Sequence, residues 1–496
     1  MQALLFTDLR RHLHQLTHHH HSISASIYDT ATVLRVTPPP DIKPALAWLL
    51  QMQSSDGGWG AVSIEPKART VPTLAALLTL YKYRHLLTNF APRLHCGISW
   101  LTFTASVWDS ALPDDLPVGV ELIVPYLLTI ANTLEFPVPG SYPALIALGQ
   151  KRKTRIAAIP FERINETTVP HSWESWGESG ADFLWNEYNG IGCSPAATAV
   201  WAQQTTDSCM KQHAQNYLER ASTATEVNCL GVVPTAFPIT RFVQAYSLHT
   251  LALANLLDHP SLINEVKPIT AGLYSAITPY GLGNTDGFLA DGDDTAAALG
   301  VLDLCHYPVD LHILQRFACQ DHFVSYVGEL QPSVITSARA TIVMQQLGAT
   351  VSVYQDWITQ RQLPDGSWKS DKWNGMWLYS TLLAILALRS DKKYHPHIQQ
   401  AHDAIVQTQR PDGGWGEVIS TAEATAYAIL ALYALPFHHN TTHLALKGGV
   451  RWLRKAYRPF ELPNDRYWLA KERYTPFRLC AIVILCALVV SLDIEY

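Results

Sequence analysis

The sequence predicts an all-α protein whose helix pairs stack into two toroids, and three observations predict it. Apolar residues recur with a helical period at 44–53, 75–87, 240–257, 377–390 and 421–435, burying one face or nearly every face. Alternating strand patterns are scarce, and turn signals (DGG, DGS, PNDR, PYG) punctuate the helices, as between antiparallel helix pairs. The pattern Q-x-x-D-G-x-W occurs three times: QSSDGGW at 53–59, QLPDGSW at 362–368 and QRPDGGW at 409–415.

Each repeat follows an apolar helical segment. Asp-Gly supplies the turn, with Gly accepting a left-handed backbone. The Trp is placed to stack back on the preceding helix, and the Gln amide to satisfy groups at a neighbouring helix end. Such units bury their faces only against neighbours, so the repeats read as structural. One copy near the N-terminus and two near the C-terminus suggest two toroids rather than one.

Composition limits the function. The 496 residues allow two or three domains; 48% are apolar and 16% charged, with 15 Trp and 21 Tyr. That suits a soluble protein with a large, partly aromatic interior. A net charge of −6 with no basic stripe excludes nucleic acid as the main partner. The N-terminus lacks a signal-peptide core, and the apolar stretch 479–492 falls short of the roughly 20 residues that span a bilayer. It reads as a buried terminal helix, without a transmembrane segment. Eight scattered cysteines signal neither zinc nor disulfides, so a reduced, cytoplasmic enzyme is expected. Four consecutive histidines at 18–21 read as a solvated run.

Residues 288–298, FLADGDDTAAA, carry the chemical question. Two carboxylates opening a helix are ordinary caps, but a third adds repulsion that capping does not need. Clustered carboxyls titrate as a unit in which one member keeps its proton, which suits an acid that must stay protonated at neutral pH. DGDDT also fits the DxDxT motif of haloacid dehalogenase-like phosphatases, in which the first Asp would be a nucleophile; that motif should end a β-strand. A non-catalytic, prenyl-binding helical scaffold would explain the repeats and aromatics but not the aspartates.

Together these motifs resemble the class II terpene cyclases: the repeats look like QW motifs, and DGDD like the DxDD motif. SIYDTA at 26–31, VGVELIVP at 118–125, SPAATA at 194–199, SDKW at 370–373, TAEATAY at 421–427 and WLAKERYTP at 468–476 resemble, in order, segments of bacterial class II diterpene cyclases. The resemblance implies two α/α barrels, termed β and γ, with γ (40–245) inserted into β (1–39 plus 246–496) near the proline run 38–40. It implies Asp293 as the general acid that protonates an alkene of geranylgeranyl diphosphate, with Asp291 and Asp294 tuning it. The absence of DDxxD implies that the diphosphate is retained.

Tyr280, Phe288, Trp373, Trp377, Tyr379 and Tyr427 neighbour the motifs and are candidates to shield a carbocation, though for any single one ordinary core packing is the favoured reading. Lys471 and Lys372 are candidate diphosphate partners. Asp115 and Glu121, near Asp114, are candidates to hold Mg2+ at the diphosphate; a solvated acidic loop is the alternative. In LQPSVITSARA, at 330–340, related cyclases present His or Asn to the cavity. Here Ser337 and Arg339 stand there, and a permanently charged Arg is a poor base. Late proton loss is therefore expected, giving a rearranged kolavenyl- or halimadienyl-type diphosphate. A copalyl product, or triterpene or meroterpenoid cyclisation, is the alternative. A separate class I terpene synthase or phosphatase would use the product.

Overall fold

A helix that is apolar on every face needs neighbours on every side, and a ring of parallel inner helices backed by outer ones supplies them. The computed structural model describes residues 1–17, 22–61, 67–109, 112, 116–178, 181–329, 331–369, 371–437 and 439–494. The histidines at 18–21, together with Asp114 and Asp115, lie outside the described residues.

The chain opens with α1 (Gln2–His14) and then enters the smaller ring. Its helices are α2 (Ile27–Val36), α3 (Lys43–Gln51), α4 (Lys67–Lys82), α5 (Phe90–Thr104), α6 (Val120–Thr133), α7 (Pro143–Ala157), α8 (Pro195–Gln204) and α9 (Ser208–Ala224). α2 packs on α4, α4 on α6, α6 on the 3-10 segment Val169–Ser175, that segment on α8, and α8 back on α2. α3, α5, α7 and α9 lie outside this circle.

The larger ring follows: α10 (Thr240–Leu253), α11 (Ile263–Ala276), α12 (Gly292–Leu304), α13 (Leu311–Gln315), α14 (Val334–Gln346), α15 (Ser352–Thr359), α16 (Trp377–Leu388), α17 (His395–Gln407), α18 (Ala422–Tyr433), α19 (Asn440–Ala456) and α20 (Phe477–Val490). The even-numbered helices α10 to α20 pack in succession, and α20 closes on α10. α11, α13, α15, α17 and α19 back them, and α1 returns to cover α20 and α11. In α12 every residue from Gly292 to Leu302 is buried. Outer α19 instead buries Thr442, Ala445, Leu446, Gly449, Val450 and Leu453, one stripe at helical spacing.

The repeats do what their residues suggest. Indole Nε1 of Trp59, Trp368 and Trp415 donates to Leu49 O, Ile358 O and Ile405 O on the preceding outer helices, at 2.7, 2.8 and 2.7 Å. The amides of Gln53, Gln362 and Gln409 reach carbonyls of the next outer helix, Arg93 O, His397 O and Ala445 O, each at 2.8 Å. Gly57, Gly366 and Gly413 have φ of +96°, +89° and +94°, and a Cβ at each would press on that next helix at Cys96, Gln400 or Gly448. Glycine is required there on two counts.

The rings assign two helices differently from the expected breaks at 39/40 and 245/246. α2 precedes residue 40 yet lies in the smaller circle, and α10 begins before 246 yet lies in the larger one. The prolines at 38–40 therefore join two helices of the same ring.

Candidate active site

The aspartates sit at the N-terminus of α12, inside the larger ring. Asp291 is the N-cap: its Oδ1 accepts from the backbone N–H of Asp293 at 3.0 Å and of Asp294 at 2.7 Å. Residues 284–290 form no strand, only an isolated bridge joining Leu282 to Asp291, so the context a DxDxT phosphatase needs is missing. All three carboxyls are buried, at 3–6% exposure. Burial pushes Asp291 up to about 7, its hydrogen bonds with Asp294 offsetting only part of that. Burial, then the charge of Asp291, raises Asp294 well above the usual carboxylate range. The cluster therefore holds protons at neutral pH.

Asp293 differs from its neighbours in its partner. Arg339 Nε donates to Asp293 Oδ1 at 2.6 Å, and both side chains are buried. The guanidinium also donates to the Tyr379 hydroxyl and lies 4.0 Å from the Tyr246 ring centroid. An acid whose conjugate base is stabilised in advance gives up its proton more readily. The sequence had assigned Arg339 to a vacant base position. In the structure Arg339 is instead engaged with the Asp293 carboxylate, and Ser337 donates to Phe323 O at 3.2 Å.

Beside this pair a small cavity of about 10 Å³ is lined by Tyr246, His249, Thr250, Arg339, Tyr379, Tyr427 and Trp468, with leucines and a valine behind them. Tyr379 stacks 4.8 Å from Tyr427 and 5.4 Å from Trp468, centroid to centroid. Of the aromatic candidates, Tyr379 and Tyr427 line this cavity. Tyr280 is not: it is 67% exposed, under Arg316, because it sits in the turn before the aspartates rather than on an inner helix. Trp373 stands behind the cluster, its Nε1 donating to Ser325 Oγ at 2.7 Å, while Ser325 O accepts from Gly292 N. Tyr246, His249, Trp468 and the role of Arg339 were missed, since nothing in the sequence links positions so far apart.

The charged candidates are already paired. Lys471 is fully buried and donates to Glu174 Oε1 at 2.8 Å and Ser194 Oγ at 2.6 Å, with Asp29 Oδ1 at 3.5 Å. Beside it, Glu472 caps α2 by accepting from Ile27 N at 2.7 Å and Tyr28 N at 3.1 Å. The motifs at 26–31, 194–199 and 468–476 therefore meet as a seam between the rings. Lys372 pairs with Glu329 at 2.5 Å and donates to Gln331 O at 2.7 Å. Glu121 Oε1 accepts from Arg152 Nε at 3.0 Å. Among the described residues no group of three or more His, Cys, Asp or Glu could hold a metal ion. Those residues alone therefore do not make a magnesium site.

Known proteins share this architecture. The model of the squalene-hopene cyclase C-terminal domain matches residues 330–470. The chain is 39% identical to (+)-kolavenyl diphosphate synthase of Herpetosiphon aurantiacus, across 96% of this chain and 95% of that one. It is 29% identical to terpentedienyl-diphosphate synthase of Kitasatospora griseola, across 93% and 96%. Among solved structures, ent-copalyl diphosphate synthase from Streptomyces platensis superposes with a TM-score of 0.82 at 25% identity, covering 98% of this chain and 99% of that one. No helix among the described residues is long and apolar enough to cross a membrane. With two closed helical rings, a buried aspartate acid and these relatives, the chain belongs to the class II diterpene cyclases, enzymes that isomerise their substrate by protonation-initiated cyclisation.

Proposed function

We propose that this cyclase acts on geranylgeranyl diphosphate, keeps the diphosphate and releases a rearranged bicyclic diphosphate of the kolavenyl type. The observation that carries the reading is the buried Asp293–Arg339 pair, whose Arg339 lines a tyrosine-walled cavity. A proton held by the cluster passes through Asp293 to the terminal alkene, and Arg339 balances the carboxylate left behind. Ring closure then moves positive charge along the chain. Faces of Tyr246, Tyr379, Tyr427 and Trp468 can each stabilise it by roughly 0.5–2 kcal/mol while leaving little room for water.

The kolavenyl skeleton is favoured by the relative at 39% identity, whose name carries that product. A copalyl product is the second reading, favoured by the structural similarity to ent-copalyl diphosphate synthase. The unit carrying the acid comprises residues 1–24 plus 235–496, and 25–234 form the inserted unit, a partition supported by the two circles of helix contacts. Magnesium enters with the diphosphate as part of the substrate, with Asp115 and Glu121 as the acidic residues proposed to meet it; no step is routed through the ion. The product leaves for a separate class I synthase or phosphatase in the cytoplasm.

The test is incubation of the purified protein with geranylgeranyl diphosphate, then dephosphorylation and structure determination of the alcohol. A clerodane alcohol is expected. Recovery of uncyclised geranylgeraniol alone overturns the reading.

A further inference from the structure

His249 lies on α10, one turn beyond the Tyr246 ring on which Arg339 rests. It lines the same cavity as Arg339, Tyr379 and Tyr427. The residue is 5% exposed, and its Nε2 is fully buried without a hydrogen-bond partner. An unpartnered imidazole nitrogen is costly in a protein interior unless something uses it. It lines a cavity whose other walls are tyrosine, tryptophan, threonine, leucine and valine, beside the arginine that pairs with Asp293.

We propose that His249 is the terminal base of the reaction, taking the proton that the rearranged cation loses. This rests on the proposed cyclisation to a rearranged skeleton and assigns its last step. Hydride and methyl shifts toward a kolavenyl skeleton carry the charge back into the ring first protonated, so its loss needs a base at the acid's end of the cavity. His249 stands at that end. A copalyl product would need a base beside the second ring instead.

The step balances. A C–H bond next to the cationic carbon breaks, its electron pair becomes the new C=C bond, and the proton passes to Nε2 to form imidazolium. That proton then returns to the Asp293 carboxylate, which lost one at the start, so no co-reactant is consumed. Burial, then the charge of Arg339, holds the His249 pKa well below the ordinary histidine value. The ring is therefore neutral and able to accept. A carbocation is acidic enough to protonate even a weak base, and a weak base hands its proton on readily.

The test compares wild type with His249→Phe and His249→Gln, following substrate consumption and product identity together, with melting curves to establish folding. Phe keeps a ring of similar shape without a base; Gln keeps polarity with far weaker basicity. In folded variants, single-turnover consumption of geranylgeranyl diphosphate, with enzyme in excess, should stay within about threefold of wild type. The kolavenyl fraction should fall at least tenfold, replaced by alkenes from earlier proton loss or by water-captured alcohols. An unchanged product profile in either folded variant overturns the proposal, and so does loss of consumption, which would place His249 before cyclisation. The wild-type product decides independently of any variant. A labdane skeleton overturns the base assignment while leaving the cyclase reading intact, and no cyclised product at all overturns the proposed function.

Discussion

Arg339 on α14 holds Asp293 on α12 through a 2.6 Å hydrogen bond, and both side chains are closed off from solvent. The two residues come from adjacent inner helices of the ring, so the acid is set by how those helices pack and not by the DxDD sequence alone. The guanidinium thereby faces one carboxyl directly, beside two whose pKa values burial raises.

Removing the acidic proton should stop the reaction. Asp293→Asn keeps the shape and can still accept from Arg339, but it has no acidic proton to give. Turnover should fall by roughly a thousandfold or more, with the melting temperature within a few degrees of wild type. Rates of substrate loss and a thermal melt of the same sample check both parts.

Arg339→Met tests the partner. Without the cation, the Asp293 carboxylate left by proton transfer loses its charge partner. Turnover should drop by about 10²- to 10³-fold, the scale seen when a group stabilising developing charge is removed. Wild-type turnover in a folded variant would mean that Arg339 does not act through Asp293.

Asp291 is raised to about 7, and Asp294 is raised well above the ordinary carboxylate value of about 3.9. Both are raised, so the protonated form is the one the folded cluster favours, and the proton is lost as pH climbs through that range. Turnover should hold below pH 7 and fall above it. Over the window from about 4 to 7 the folded state binds more protons than the unfolded one, so the cluster's contribution to stability declines as pH rises. Rate and denaturant midpoint measured across pH 5–9 check the two trends.

The seam between the rings offers a contrast of roles. Lys471→Met would leave Glu174 and Asp29 buried without their cation, a loss of about 3–5 kcal/mol. A clear fall in melting temperature is expected. A pure diphosphate contact would instead raise KM and leave the melt unchanged, and titrating substrate against the folded variant separates the two.

Much of the fold was legible because its signals are local. Trp59, Trp368 and Trp415 each bond a carbonyl ten residues back, a relation the repeat itself spells out. The acidic cluster was legible for the same reason, being three residues within four positions. What escaped was the set of relations between distant helices. Arg339 lies 46 positions from Asp293, and His249 and Trp468 reach the cavity from α10 and from the loop before α20. Lys471 and Glu121 were recognised by motif, but their partners Glu174 and Arg152 come from other elements, so pairing could not be read in advance.

The central claim is protonation by Asp293 with the diphosphate left in place. The most direct measurement is a paired assay of wild type and folded Asp293→Asn on geranylgeranyl diphosphate, scoring cyclised diphosphate and inorganic pyrophosphate in the same reaction. The account predicts a bicyclic diphosphate from wild type, no pyrophosphate, and neither from the variant. Pyrophosphate released in step with substrate loss, or substantial cyclisation by Asp293→Asn, would contradict it.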